Sequence, residues 1–213
     1  MDGISSPDRP NDALVDPNES PVDPDESQYL LRELAGLSWR SQLFTLEAIN
    51  LASARSWLDV QQITRDELLT QSFQQELHWR MFGAVWMWAG KLRVRENNIG
   101  IAPKLIIDRW AQLLGNVAYW LDNGIFDADE ACVRYYFEQR EIQPFHDGNS
   151  RMARVVVNEL ADLAGLSVRG GERYPFGQGG DSVAVRAEYL SAIVAARLGD
   201  LDPLVALARR GVR

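Results

Sequence analysis

One stretch of the chain, QPFHDGNSRMAR at residues 143–154, combines residue types that could bind an anion. Gly148 and Asn149 allow a tight turn directly before a predicted helix. The backbone N–H groups in the first turn of a helix have no intrahelical partners, and the helix dipole is positive there. The stretch therefore predicts a phosphate-binding helix start.

Three charged side chains of the same stretch fit that chemistry. Arg151 and Arg154 are three residues apart, so both guanidinium groups project from one side of the first turn and can bind phosphate oxygens. Asp147 offers a carboxylate of the kind that holds Mg²⁺ when phosphate oxygens supply other ligands. Any one of these residues alone is typical of an ordinary solvated helix start. Their combination in one short segment favours a phosphate site.

Capping signals and apolar spacing predict the helices that position this stretch. Thr64–Glu67 and Asp127–Glu130 have the spacing of capping boxes, and Pro103 fits the first turn of a helix. The predicted helices lie at about residues 41–57, 64–81, 103–124, 127–142, 148–165, 182–198 and 203–210. The sequence therefore predicts an all-α class.

Two other segments are not predicted to be helical. Residues 91–102, KLRVRENNIGIA, alternate weakly in polarity and contain turn residues, which predicts a short β-hairpin. Residues 167–181 contain five glycines and are predicted to form a loop.

Charge divides the 213 residues into an arm and a body. The net charge is −8, but residues 1–27 contain eight acidic residues against Arg9 alone, together with five of the nine prolines. We expect a disordered or loosely attached arm at 1–27, either a solvated tail or a docking segment for a basic partner, and one domain at 28–213. The nearly neutral body argues against nucleic acid as a partner.

Several other classes are excluded by composition. Cys132 is the single cysteine, so neither an internal disulfide framework nor a cysteine-based zinc site is expected. The two histidines, His78 and His146, are too few for a His-rich metal site. We expect no membrane span and no secretory signal, because no long apolar run is present, and we expect a cytoplasmic location.

Residues 143–154 resemble the Fic motif, whose pattern is His-Pro-Phe-x-Asp/Glu-Gly-Asn-Gly-Arg-x-x-Arg. Two specified positions differ, where the chain has Gln143 and Ser150. The specified positions that agree are Pro144, Phe145, Asp147, Gly148, Asn149, Arg151 and Arg154. Further segments, among them WAGKLR at 88–93, resemble the bacterial Fic (Fido) subgroup called mobile mystery protein B. The resemblance covers roughly residues 28–210 and implies an α-helical Fic fold with one hairpin.

The resemblance implies a nucleotidyltransferase activity called AMPylation, in which a protein adenylyltransferase moves AMP from ATP to a hydroxyl group of a target protein. ATP with Mg²⁺ is the implied cofactor. The implied ligands are Asp147 for the metal and Gly148, Asn149, Ser150, Arg151 and Arg154 for the phosphates.

The resemblance also implies protein partners. The hairpin, at about residues 93–102, resembles a flap that docks the target as an added strand. The docking residues would be Arg93, Arg95, Ile99 and Ile101. A separate antitoxin-like regulator, as in toxin–antitoxin pairs, is a further implied partner.

The two departures bear on catalysis. Gln143 stands where the motif has its catalytic histidine, and a carboxamide cannot act as a general base near neutral pH, which typically lowers a rate about 10²- to 10⁴-fold. We expect the Ser150 side chain to crowd the approach of phosphate to the backbone. The leading hypothesis is an impaired or repurposed Fic protein, a pseudoenzyme. The alternatives are an active transferase that uses His146 as its base and a non-catalytic partner-binding module.

A regulatory residue is implied by the same family. Fic domains are often restrained by a helix with the pattern Ser/Thr-x-x-x-Glu-Gly/Asn, whose glutamate pairs with the second arginine of the motif. Glu47 lies at a corresponding place, although Leu43 and Ala48 depart from the pattern. The alternative is that Glu47 is an ordinary acidic residue on a helix surface.

Overall fold

Helices make up most of the residues that the computed structural model describes, which are 21–166, 174, 176 and 183–210. The all-α prediction is confirmed. The helices are α1 (Pro24–Ser27), α2 (Arg40–Val60), α3 (Arg65–Leu68), α4 (Gln71–Phe82), α5 (Ile106–Asn123), α6 (Ala128–Ile142), α7 (Asn149–Leu163), α8 (Val183–Arg197) and α9 (Asp202–Arg210).

The helix predicted at 64–81 is divided into α3 and α4. Thr64 and Glu67 form the predicted capping box at the start of α3. Thr70 then acts as a second N-cap, since its hydroxyl oxygen accepts a hydrogen bond from the N–H of Phe73 at 3.2 Å. A threonine side chain that accepts from the N–H three residues later starts a new helix instead of continuing the previous one, which explains the break.

The hairpin predicted at residues 91–102 is wrong. Its described backbone forms a single bridge, between Leu92 and Phe145, and no strand. The Arg93 side chain folds back instead and donates hydrogen bonds to the carbonyl of Ile101 and to carbonyls at the end of α6. A buried guanidinium group therefore closes this segment in place of a backbone ladder.

Helix α7 lies at the centre of the packing. It contacts α6, α4 and α3, while α5 packs on α6, α2 packs on α4, and α9 joins α8 to α6. The buried face of α7 includes Met152, Val156 and Leu160, as the apolar spacing predicts. The packed core thus holds the first turn of α7, where the predicted anion site lies.

Residues 21–27, at the end of the predicted arm, lie against the helices. The N–H of Val22 donates to the carbonyl of Ser38 at 2.9 Å, and the carboxylate of Glu26 pairs with Arg40 at 2.5 Å. This segment therefore packs beside the start of α2.

Residues 1–20 lie outside the described part of the chain, so the arm stays a prediction there. The predicted glycine-rich loop at 167–181 also lies outside it, except for Tyr174 and Phe176. Among the described helices, none is both long enough and apolar enough to cross a membrane.

Candidate functional site

The loop between α6 and α7 has two residues in the left-handed backbone region. Gln143 ends α6 with φ 51°, which costs a non-glycine residue about 1 kcal/mol or more. Gly148 precedes α7 with φ 76°, and a Cβ atom there would lie 2.5 Å from the ring of Phe82 and 3.1 Å from Nε2 of His78. Position 148 therefore requires glycine.

Asn149 braces this loop. Its Nδ2 donates to the carbonyl of Phe145, and its Oδ1 accepts from the N–H of the same residue, both at 2.9 Å. The residue is 2% exposed. Within the part of the chain that the structure describes, no side chain caps the N–H groups at the start of α7, so these donors face a ligand without a protein partner.

His78 is a second brace, which the sequence reasoning missed. Its Nδ1 accepts from the N–H of Gly90 at 2.9 Å, so Nε2 carries the proton and donates to the carbonyl of Asp147 at 3.0 Å. Its ring stacks on Phe145 at 3.7 Å. Burial lowers the pKa of His78 to about 3, and Arg151 adds to that effect. His78 is therefore neutral and packed against the loop.

Arg151 is held from three sides. Its guanidinium lies 4.4 Å above the ring of Phe82, pairs with Glu47, and donates to the carboxylate of Asp147 at 3.1 Å. Two carboxylates thus neutralise this arginine.

Glu47 reaches the site from α2 and is only 7% exposed, so the surface alternative is wrong. One oxygen of the Glu47 carboxylate accepts from Nε1 of Trp86 at 2.5 Å, and the other accepts from Arg151. The resemblance implies a pair with the second arginine of the motif, Arg154. In the structure Glu47 pairs with the first, Arg151, because the indole of Trp86 fixes the carboxylate beside it.

Two other arginines retain unused donors. Among the described residues, neither Nε of Arg154 nor Nη1 of Arg140 has a hydrogen-bond partner, although both atoms are buried. Nε of Arg140 donates to Oγ of Ser150 at 3.0 Å, and its guanidinium lies 5.8 and 5.6 Å from the rings of Tyr136 and Tyr189. Sequence reasoning missed Arg140, although its place in the last turn of α6 was a signal.

Gln143 is buried, with 6% of its surface exposed. Its side-chain Nε2 donates to the backbone carbonyl of Arg140 at 2.7 Å. The backbone carbonyl of Gln143 accepts from Nε of Arg93 at 2.6 Å. Gly100 packs on its Cβ so closely that a side chain at position 100 would collide with it. The carboxamide therefore has a fixed position under residues 100–101.

His146 points to other partners. Its ring lies 4.6 Å from that of Tyr29 and 5.9 Å from that of Trp88, and its carbonyl accepts from Nδ2 of Asn97 at 3.1 Å. None of these residues bonds to the Gln143 side chain. The structure thus places the His146 ring against different residues from those that the Gln143 side chain contacts.

The predicted docking residues differ in exposure. Arg93 is buried, and burial lowers the pKa of its guanidinium although Glu96 lies nearby. Its donors bind carbonyls of the chain, so the side chain cannot contact a target protein. Arg95 and Ile99 are exposed, and Ile101 is half-buried. The exposed part of the segment is thus shorter than predicted.

A metal ion would have few protein ligands here. The described ranges contain no group of three or more His, Cys, Asp or Glu side chains that could hold a metal ion. The carboxylate of Asp147 is 63% exposed on the loop. One carboxylate suits Mg²⁺ that takes its other ligands from phosphates and water.

A comparison with family models identifies the domain. Residues 68–161 match the model of the Fic/DOC family. The chain contains a Fic/DOC family domain. The matched residues include α4 to α6, most of α7 and the whole loop described above, so residues 143–154 lie within the match.

Curated relatives of this Fic domain include "Protein adenylyltransferase fic-1" from Caenorhabditis briggsae, 29% identical over 138 residues. The protein of the same name from Caenorhabditis elegans is 28% identical over 138 residues. Each match covers 61% of this chain and 24% of the relative. The chain therefore spans about a quarter of the length of these relatives.

Solved structures share the Fic fold. C. elegans Fic-1 superposes with a TM-score of 0.57 at 24% identity, over 78% of this chain and 47% of that one. The BepC protein from Bartonella tribocorum, with bound AMPPNP, gives 0.60 at 15% identity, over 80% of this chain and 86% of that one. These likenesses establish the fold.

Proposed function

We propose that this chain is a Fic-domain protein that binds ATP with Mg²⁺ and has lost most of the adenylyl transfer reaction. Its relatives include proteins named adenylyltransferases, and a solved Fic structure of the same fold contains AMPPNP. The observation that carries the proposal is the contrast between intact anion-binding groups at α7 and a fixed carboxamide at Gln143.

The phosphate side of the site supports nucleotide binding. The first-turn N–H groups of α7 have no side-chain cap among the described residues, and Arg154 has a buried donor without a described partner. An anionic ligand would satisfy these groups and use the positive helix end. Asp147 would hold Mg²⁺, which neutralises phosphate charge when bound. Gly148 permits the close approach of a ligand to the backbone.

The base side of the site supports the loss of transfer. Gln143 occupies the position of the motif histidine, and its amide N–H donates to a backbone carbonyl. An amide can neither accept nor release a proton at neutral pH, so the target hydroxyl has no general base there. His146 is a poor substitute because its ring packs against Tyr29 and Trp88.

The contact between Glu47 and Arg151 suggests restraint of the nucleotide site. A buried carboxylate on Arg151 competes with phosphate for the same guanidinium. Glu47 would therefore weaken nucleotide binding unless α2 moves.

A protein target is the partner that this proposal requires. The exposed residues Val94, Arg95 and Ile99 form an open segment next to the site and would dock the target. Arg93 would act only by holding that segment in place. A separate antitoxin-like regulator remains part of the proposal through the family resemblance.

Labelling with radioactive ATP in a cell lysate tests the proposal. Three proteins are compared, namely wild type, Gln143→His and His146→Ala, with Gln112→His on α5 as a matched glutamine-to-histidine control. We expect labelling only with Gln143→His, about 10²-fold or more above wild type, because it restores a base. Ser150→Gly is added to Gln143→His to test whether the serine limits the gain. Labelling by wild type that His146→Ala abolishes would contradict the proposal and support the His146 mechanism.

A further inference from the structure

We propose that Arg140 is a further phosphate-binding residue of this chain and that Ser150 holds it in place. This inference rests on the proposed nucleotide site. It gives Ser150 a role as a partner of Arg140 rather than an obstacle to phosphate.

Ser150 joins Arg140 to the first turn of α7. Ser150 is the second residue of α7, so its backbone N–H is one of the first-turn donors that would face a phosphate. Its Oγ accepts from Nε of Arg140 at 3.0 Å. The guanidinium of Arg140 therefore lies beside the backbone donors and can reach a ligand that they bind.

Both departures from the motif bind Arg140. Gln143 donates from Nε2 to the Arg140 carbonyl at 2.7 Å, and Ser150 accepts from its guanidinium. Tyr136 and Tyr189, whose hydroxyls are 2.7 Å apart, place their rings beneath the guanidinium. A glycine at position 150 would offer Arg140 no hydroxyl. Ser150 thus holds the Arg140 side chain, whereas Gln143 bonds the Arg140 backbone.

The charges leave Arg140 available for an anion. Arg151 is neutralised by Glu47 and Asp147. Within the described residues, no carboxylate pairs with Arg140 or Arg154, and each has a buried donor without a partner. A buried donor that is left unpaired costs free energy, which a phosphate oxygen would recover. Both guanidinium groups act electrostatically on Tyr136, and two such groups near one residue suit a ligand with several phosphates.

Calorimetric titration tests this role with two probes, ATP plus Mg²⁺ and inorganic tripolyphosphate. The proteins are wild type, Arg140→Ala, Ser150→Ala and Ser150→Gly. Arg134→Ala is the matched control, since Arg134 lies on the same helix and pairs with Glu130 at 2.7 Å.

We expect Arg140→Ala to weaken both probes about tenfold, which corresponds to the loss of one charged hydrogen bond. We expect Ser150→Ala and Ser150→Gly to weaken them about threefold, because Arg140 remains but is released. The double variant Arg140→Ala/Ser150→Ala should bind like Arg140→Ala alone. Arg134→Ala should bind like wild type. Thermal unfolding of each variant shows whether it is folded, and Ser150→Ala removes a single hydroxyl if Arg140→Ala fails to fold.

The outcomes separate this inference from the proposed function. Tighter binding by Ser150→Gly, or unchanged binding by Arg140→Ala, would overturn the role of Arg140 and leave the nucleotide site intact. Arg140-dependent binding of tripolyphosphate without binding of ATP would support Arg140 and overturn the nucleotide proposal. Wild type that binds neither probe would overturn both.

Discussion

Replacement of Asn149 by alanine tests whether side-chain bracing of the loop stabilises the fold. The Asn149 side chain forms two hydrogen bonds of 2.9 Å, one with the N–H and one with the carbonyl of Phe145. Phe145 is completely buried, and Asn149 is 2% exposed. Water therefore cannot replace the lost bonds without opening the loop.

The expected loss follows from those two contacts. Each buried polar group left without a partner costs about 1–3 kcal/mol, and alanine returns up to about 0.7 kcal/mol through its higher helix propensity. We expect Asn149→Ala to lower the free energy of unfolding by about 3 kcal/mol. For a chain of this size, that corresponds to a fall in melting temperature of about 10 °C.

Urea denaturation followed by circular dichroism measures this loss. Asn123→Ala on α5 is the matched control, because its Nδ2 also donates to a carbonyl, that of Tyr119 at 2.9 Å, but in an exposed position. The control should lose no more than about 0.5 kcal/mol. If Asn149→Ala loses no more than Asn123→Ala, the bracing argument is refuted.

Two other predictions concern charge. Glu47→Gln removes the carboxylate that neutralises Arg151 and keeps the side-chain shape. ATP with Mg²⁺ should therefore bind about three- to tenfold more tightly by calorimetry. Glu76→Gln, which changes an exposed ion pair, is the control, and unchanged affinity for Glu47→Gln argues against restraint. Burial lowers the pKa of His78 to about 3, below the value of about 6.5 in the unfolded chain. Between pH 6.5 and about pH 3, the His78 ring is protonated in the unfolded chain and neutral in the folded one. His78 should therefore lower the free energy of unfolding by about 2 kcal/mol when the pH falls from 7 to 5. The NMR signals of the His78 ring should stay those of the neutral form at pH 5, and protonation near pH 6 contradicts the assignment.

Local signals explain how much of the fold was predictable. The caps Asp127 and Gly124 and the apolar spacing of α5, α6 and α7 mark these helices from short sequence windows. The break at Thr70 was missed because the same apolar spacing continues through both α3 and α4. The hairpin was wrong because the buried Arg93 side chain, rather than strand propensity, decides how residues 91–102 fold.

The site was predictable only where its parts are close in sequence. Gly148, Asn149 and Arg151 lie within one loop and helix start, so their spacing indicated an anion site. The contact between Glu47 and Arg151 joins residues 104 positions apart, and that between His78 and Asp147 joins residues 69 positions apart. Such contacts depend on helix packing, which no local pattern specifies.

The central claim is that the chain has a nucleotide site without a general base. Its most direct test is a calorimetric titration of wild type and Gln143→His with ATP and Mg²⁺. We predict saturable binding by both proteins with affinities within about twofold, because the Gln143 carboxamide donates to a backbone carbonyl of α6 and not to a group that would bind phosphate. Absence of heat with wild type, at concentrations where an active relative binds ATP, would contradict the claim.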